Sequence, residues 1–131
     1  MTSITMEHVN DYVVDRVVIP LASRERFAGP VLKEDGTLDY YLIVLWEAIN
    51  FYHDAAKEYA ASRGFRIPNR REGRVLLAAF PEIFENVSYW LEEPRERDPA
   101  SAWCQHAYDR GQVSVPKNTN ILAVLVRRFE I

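Results

Sequence analysis

The sequence predicts an α+β domain, two helices packed on an antiparallel sheet with long connecting loops. Three observations carry this expectation. Residues 40–45 and 121–126 are apolar almost throughout, as strands covered on both faces must be. Between these runs the hydrophobic period changes, with Phe51, Ala55, Ala56, Tyr59 and Ala60 recurring at helical spacing. A second helical stretch opens on Asn69 and Glu72, three residues apart, the spacing of a capping box.

In chain order, residues 12–21 read as one strand rich in Val and Ile that ends at Pro20. A loop runs through Gly29-Pro30, and Asp35-Gly36 is a turn signal between two extended pieces. The first helix spans residues 51–62, with Asn50 as its N-cap and Gly64 as its stop. Pro68 keeps the chain extended on entry to the second helix. Val75, Leu76, Ala79 and Phe80 form that helix's apolar face, and Pro81 ends it. Short strands follow around residues 87–91, 102–107, 112–115 and 120–129, with a polar loop over 92–98.

The chain has 131 residues, enough for one domain with its own core. A formal charge of −3 supplies no general basic field, so nucleic acid is disfavoured as a partner. No apolar run approaches the ~20 residues that span a bilayer, so no membrane insertion is expected. Residues 1–10 lack the basic start and apolar centre of a signal peptide. The expected home is the cytoplasm where the chain is made, with a phage particle as a second. The single cysteine, Cys104, excludes an intrachain disulfide and reads as a buried, inert thiol.

A family resemblance enters at Gly64-Phe65-Arg66-Ile67-Pro68-Asn69-Arg70-Arg71-Glu72, followed by Leu76-Leu77. This stretch resembles a helix, Gly, Leu-Pro-Thr-Arg-like turn, Glu and Leu pair found in a bacterial and phage domain of unknown function. That family has a C-type-lectin-like fold and is related to the Fibrobacter major paralogous domain and to phage tail-fibre tip proteins. Upstream, Phe27-Ala28-Gly29, Asp35-Gly36 and residues 39–43 look like its opening hairpin. Downstream, Tyr89-Trp90, Glu92-Glu93, Ala102-Trp103, Gly111-Gln112, Lys117 and Val126-Arg127-Arg128 keep its order. The resemblance covers the chain from about Phe27 onward. Three positions depart from it: Leu91 replaces a small polar residue, Asn69 a threonine, and Trp46 a glycine. An exposed Trp46 would suit a partner anchor, and a covered one would shield the start of a helix.

The lectin likeness implies a test for calcium-dependent sugar binding. Glu92, Glu93, Glu96 and Asp98 lie close together, but Arg95 and Arg97 alternate with them and cancel the charge an ion needs. No metal and no cofactor are expected. The formylglycine-generating enzymes, distant relatives by the same resemblance, use a cysteine pair that Cys104 alone does not make. His8, His53 and His106 have no zinc spacing and no Ser-His-Asp context, so no catalytic residue is assigned. Trp90 and Trp103 read as core positions, while Tyr89 and Tyr108 suit an exposed face. Arg63, Arg66, Arg70, Arg71 and Arg74 cluster at the helix-helix turn, with a solvated face favoured over an anionic-partner patch. Of Arg127 and Arg128, one is expected to pair with an acid at the core edge.

These readings lead to a non-catalytic binding module whose loops recognise a ligand. The expected binding face lies on residues 92–101 and 109–120. Its members are Glu92, Glu93, Arg95, Tyr108, Arg110, Gln112, Lys117, Asn118 and Asn120. A phage or prophage receptor-binding module is one function, with a cell-surface receptor as partner and a homo-oligomer as its assembly. A small phage-encoded intracellular inhibitor of a host defence protein, such as an anti-CRISPR, is the alternative.

Overall fold

The computed structural model of the protein describes residues 11–14, 17–107 and 110–130. Strands β1 (Asp11–Val14) and β2 (Val17–Pro20) form a separate antiparallel hairpin, where the sequence suggested one continuous strand. The main sheet holds β3 (Glu25–Leu32), β4 (Leu38–Phe51), β5 (Tyr89–Arg95), β6 (Asp98–Gln105), β7 (Gln112–Pro116) and β8 (Ile121–Phe129). Its order is β3-β4-β8-β5-β6-β7. The apolar segment at 121–126 lets β8 enter between β4 and β5, covered on both faces.

The sheet is mixed, not purely antiparallel as expected. Strand β8 runs parallel to β5, meeting it at Tyr89 and Leu122, because the chain enters β8 from the far edge. Three helices lie beside the sheet: α1 (His53–Ser62), α2 (Arg70–Ala79) and the single turn α3 (Pro81–Phe84). The expected count was two. Pro81 does end α2, but its missing N–H and fixed φ also suit the first position of α3.

Side-chain alternation along the strands separates two cores. Tyr40, Leu42, Val44, Val124, Val126, Tyr89 and Leu91 pack with Leu76 of α2 and Phe84 of α3. The opposite parity, including Leu45, Leu125, Trp90 and Cys104, packs with Ala56 and Ala60 of α1. The two long helices therefore cover opposite faces of the sheet. A third cluster of Ile19, Tyr41 and Ile43, with Leu21, Phe27 and Phe129 against it, seats β2 beside α1's face. Cys104 is buried, as its apolar flanks suggest.

Two local details differ from the sequence reading. Strand β4 continues past Asn50, which pairs with Leu122, so Asn50 does not cap α1. Tyr52 takes that position without a side-chain bond, and the His53 amide donates to the Lys117 carbonyl at 2.9 Å. The polar stretch at 92–98 is largely the β5–β6 hairpin, because Arg95 pairs with Asp98 across a tight turn. Trp46 sits in an irregularity of β4 between Leu45 and Ile49, edge-on to Phe84 at 5.4 Å, so it covers α3.

Among the described residues three glutamate side chains are enclosed, each held by an arginine. Glu72, fully buried, accepts from Arg66, from the Tyr40 hydroxyl and from the Asn69 amide. Glu47 accepts from Tyr59 and Arg63, and Glu25 from Arg127, the core-edge pairing expected for one terminal arginine. Burial opposes ionisation of Glu72, yet Arg66, Tyr40 and the Asn69 amide together hold its carboxyl below the usual 4.5. Tyr59 lowers Glu47 and Arg127 lowers Glu25 in the same direction.

A depressed carboxyl contributes stability that is present above its unfolded value and lost as pH falls through the folded one. The protein is therefore expected to lose stability progressively below about pH 4.5. Glu72→Gln removes the charge facing Arg66 and should cost about 3 kcal/mol in urea unfolding at neutral pH. The same variant should show a flatter acid limb, and an unchanged limb would contradict this account.

Candidate functional site

The N-terminal end of α2 is fixed to the sheet before any functional side chain is placed. The capping box forms as its spacing predicts: the Glu72 amide donates to the Asn69 side chain at 2.8 Å, and the Asn69 amide donates back to Glu72. Gly73 lets the helix lie close on the strands. A Cβ at that position would stand 2.7 Å from the buried Leu91 Cδ2. The Tyr89 hydroxyl donates to the Gly73 carbonyl at 2.9 Å, and the Glu92 amide to the Pro68 carbonyl at 2.8 Å. Both oxygens of Glu93 accept from the Arg70 amide, at 3.0 and 3.1 Å, near the helix's positive end.

This placement carries Arg70 onto β6. Its guanidinium carbon lies 3.8 Å from the centre of the Trp103 ring, a close cation–π stack. Gln112 on β7 holds Arg70 from two sides, accepting from Nε at 2.9 Å and donating to the backbone carbonyl at 2.7 Å. Gln112 is itself steadied by the fully buried Gln105, to which it donates at 3.1 Å. Arg95 approaches the same ring at 5.4 Å and donates to the Ser114 hydroxyl at 2.8 Å.

Between α2 and the β5–β6 hairpin lies an open cleft of about 440 Å³, lined by Arg70, Glu93, Pro94, Arg95, Glu96, Arg97 and Trp103. Its chemistry is a half-buried indole edged by guanidinium groups, on a base of helix and sheet. It can stack a flat group and donate several charge-assisted hydrogen bonds.

The expected binding residues separate into several places. Glu93 and Arg95 line the cleft, Gln112 positions Arg70, and the Glu92 amide bonds Pro68 beside them. Lys117 and Asn118 line a shallower depression of about 370 Å³ with Tyr52, Asp54 and Ala55 at the start of α1. Arg110, at φ 58, pairs instead with Glu85 at 2.5 Å beyond α3. Asn120 is exposed just before β8, and Tyr108 lies outside the described residues.

Other expectations change. Tyr89, taken as an exposed aromatic, is fully buried, because its hydroxyl reaches the α2 backbone. Trp90 is core as expected, but Trp103 is only half-buried, since α2 covers part of its ring and leaves the rest to the cleft. Most of the arginine cluster is paired, not merely solvated: Arg63 with Glu47, Arg66 with Glu72, and Arg71 with the Leu32 carbonyl and Asp39. The residues missed as a site were Arg70 and Trp103. Their signal was the odd position of Trp103 between Ala102 and Cys104, which puts it on α2's face of the sheet.

His53 is buried beside the second depression. Its Nε2 lies 2.9 Å from the Leu91 carbonyl, its ring edge-on to Trp90 at 4.9 Å. Burial lowers its pKa, which keeps the ring neutral, and among the described residues Nδ1 has no hydrogen-bond partner. Among the described residues no group of His, Cys, Asp and Glu is arranged to hold a metal ion, and no helix is long and apolar enough to cross a membrane.

No protein-family model matches the chain, and no curated protein matches its sequence.

Arg70→Ala should cost about 1 kcal/mol through the lost stack and expose Trp103 to collisional quenchers. Arg70→Lys should restore the charge but not the shielding, because an ammonium lacks the planar fork that Gln112 and the indole hold. Acrylamide quenching of the two variants beside the native protein measures the shielding and urea unfolding the stability, and equal shielding by lysine would refute the stacking role.

Proposed function

We propose that the protein is a non-catalytic binding module of the phage or prophage type, with a C-type-lectin-like fold. Its recognition face is the Trp103 cleft together with the adjoining β5–β6 hairpin. The observation that carries this reading is the Arg70–Trp103–Arg95 arrangement, an aromatic ring edged by two held guanidiniums and left partly open. Such a surface loses little side-chain freedom on binding, which favours recognition.

The titratable side chains with shifted pKa values support binding over catalysis. Glu25, Glu47 and Glu72 have arginine partners, Tyr40 and Tyr59 donate to two of those acids, Tyr89 donates to backbone, Asp35 accepts from Thr37, and the buried His53 ring lies 2.9 Å from the Leu91 carbonyl. None of them lines the cleft. The fold name and the phage association rest on the resemblance at residues 64–72 and the strands that follow it. A host protein or cell-surface receptor is the partner class they imply, with a homo-oligomer as the assembly of a fibre-tip form.

Trp103→Ala and Arg95→Ala, each with unchanged circular dichroism, should lower capture of the partner from host lysate or envelope by at least about tenfold. Changes at Lys117, Asn118 and Asn120 should have little effect. The opposite pattern, with loss only at the second set, would move the recognition face to the α1 depression.

A further inference from the structure

We propose that the Trp103 cleft takes a carboxylate-rich, extended segment of a protein partner, a ligand class that rests on the cleft being the recognition face. The first ground is the donors left unused. Gln112 occupies only the Nε of Arg70, and among the described residues its two Nη groups have no hydrogen-bond partner. Arg95 spends Nη1 on Ser114 and keeps its other nitrogens, while Arg97 is exposed at the hairpin turn and is not paired with any described residue. These are planar forks of the kind that take carboxylates with two parallel bonds, and Arg70 is held in place before a ligand arrives.

The second ground is the sign and size of the local charge. Three arginines, Arg70, Arg95 and Arg97, and two glutamates, Glu93 and Glu96, line the cleft, which leaves its lining a single net positive charge in a chain of net −3. Both oxygens of Glu93 accept from the Arg70 amide, and among the described residues no guanidinium bonds either of them. A nucleic-acid backbone needs a continuous run of cations, and this cleft offers none. Separate carboxylates along an extended chain suit guanidiniums set singly around one ring.

The third ground is the border of the cleft. Strand β7 adjoins it through Gln112 and Ser114 and is the last strand of the sheet, with a neighbour on one side only. An extended peptide can pair with that edge while its acidic side chains reach the arginines. A small soluble carboxylate would gain nothing from it.

The test uses the full chain with nitrogen-15 labelling, titrated with hexaglutamate, a thymidine hexanucleotide or maltohexaose. Hexaglutamate should shift the Trp103 indole N–H and the Arg70 Nε–H signals, and added salt should suppress the effect. The double variant Arg95→Gln/Arg97→Gln, exposed at both positions and therefore expected to fold, should bind hexaglutamate about tenfold more weakly. Hexaglutamate leaving Trp103 unshifted, equal binding by the double variant, or tighter binding of the hexanucleotide would each overturn the proposal. A Trp103 shift with maltohexaose alone would remove the acidic ligand and keep the cleft. Partner capture that survives Trp103→Ala would remove the cleft itself.

Discussion

The buried carboxylate of Glu72 is the interaction on which the placement of α2 depends. Taking it out of water costs several kcal/mol, and only the full set of donors offsets that. Those donors come from three separate parts of the fold: Tyr40 from β4, Asn69 from the cap, and Arg66 from the connection before it. Arg66 is tied to β8 as well, exchanging backbone bonds with Val126 at 3.1 and 2.8 Å. One side chain thus binds the helix start to the centre of the sheet. Its geometry permits a single register of α2, because a shift by one residue would leave a buried charge without partners.

The cleft follows from that register. With Glu72 seated, Gly73 must face Leu91 at close approach and Arg70 must lie over Trp103. Gln105 and Gln112 then complete a polar chain from the buried interior of β6 to the surface, fixing a guanidinium that would otherwise sample many rotamers. The depression at α1 is tied by backbone instead, the His53 amide donating to the Lys117 carbonyl and the Lys117 amide to the Ala100 carbonyl. Its helix starts at Tyr52 without a side-chain cap, and Tyr52 itself is 56% exposed. Two concavities of similar size therefore differ in what holds their walls, a side-chain network at one and backbone bonds at the other.

How much of this was legible in the sequence depended on how local the cause was. The second helix's cap was readable because Asn69 and Glu72 are three residues apart and their chemistry is self-contained. The apolar runs of β4 and β8 were readable because burial on both faces leaves no polar position. The first helix's cap was misread, since nothing near Asn50 announces that β8 extends the β4 pairing as far as Phe51. The hairpin at 92–98 was read as a loop for the same reason: its prolines and charges are tolerated at a strand pairing set by distant residues. Of the site, Glu93, Arg95 and Gln112 were found by loop chemistry. Arg70 and Trp103 were not joined: strand alternation gives the face that Trp103 occupies, but which side chain of α2 meets it there is a tertiary contact.

Net charge shows the same limit at the level of electrostatics. A total of −3 argues against a diffuse basic field, and that inference concerns the far field only. Within a Debye length of about 8 Å the distribution decides. Glu25, Glu47 and Glu72 are enclosed and matched by Arg127, Arg63 and Arg66, so these acids and bases largely cancel inside the fold. Along the lining of the cleft the guanidiniums of Arg70, Arg95 and Arg97 outnumber the carboxylates of Glu93 and Glu96, while Glu92 and Asp98 lie elsewhere on the hairpin. An acidic protein can therefore present a cationic contact point where its arginines gather locally. The three buried pairs remove equal numbers of each sign, so the net −3 stays with the other side chains, and the cleft's excess comes from where Arg70, Arg95 and Arg97 sit.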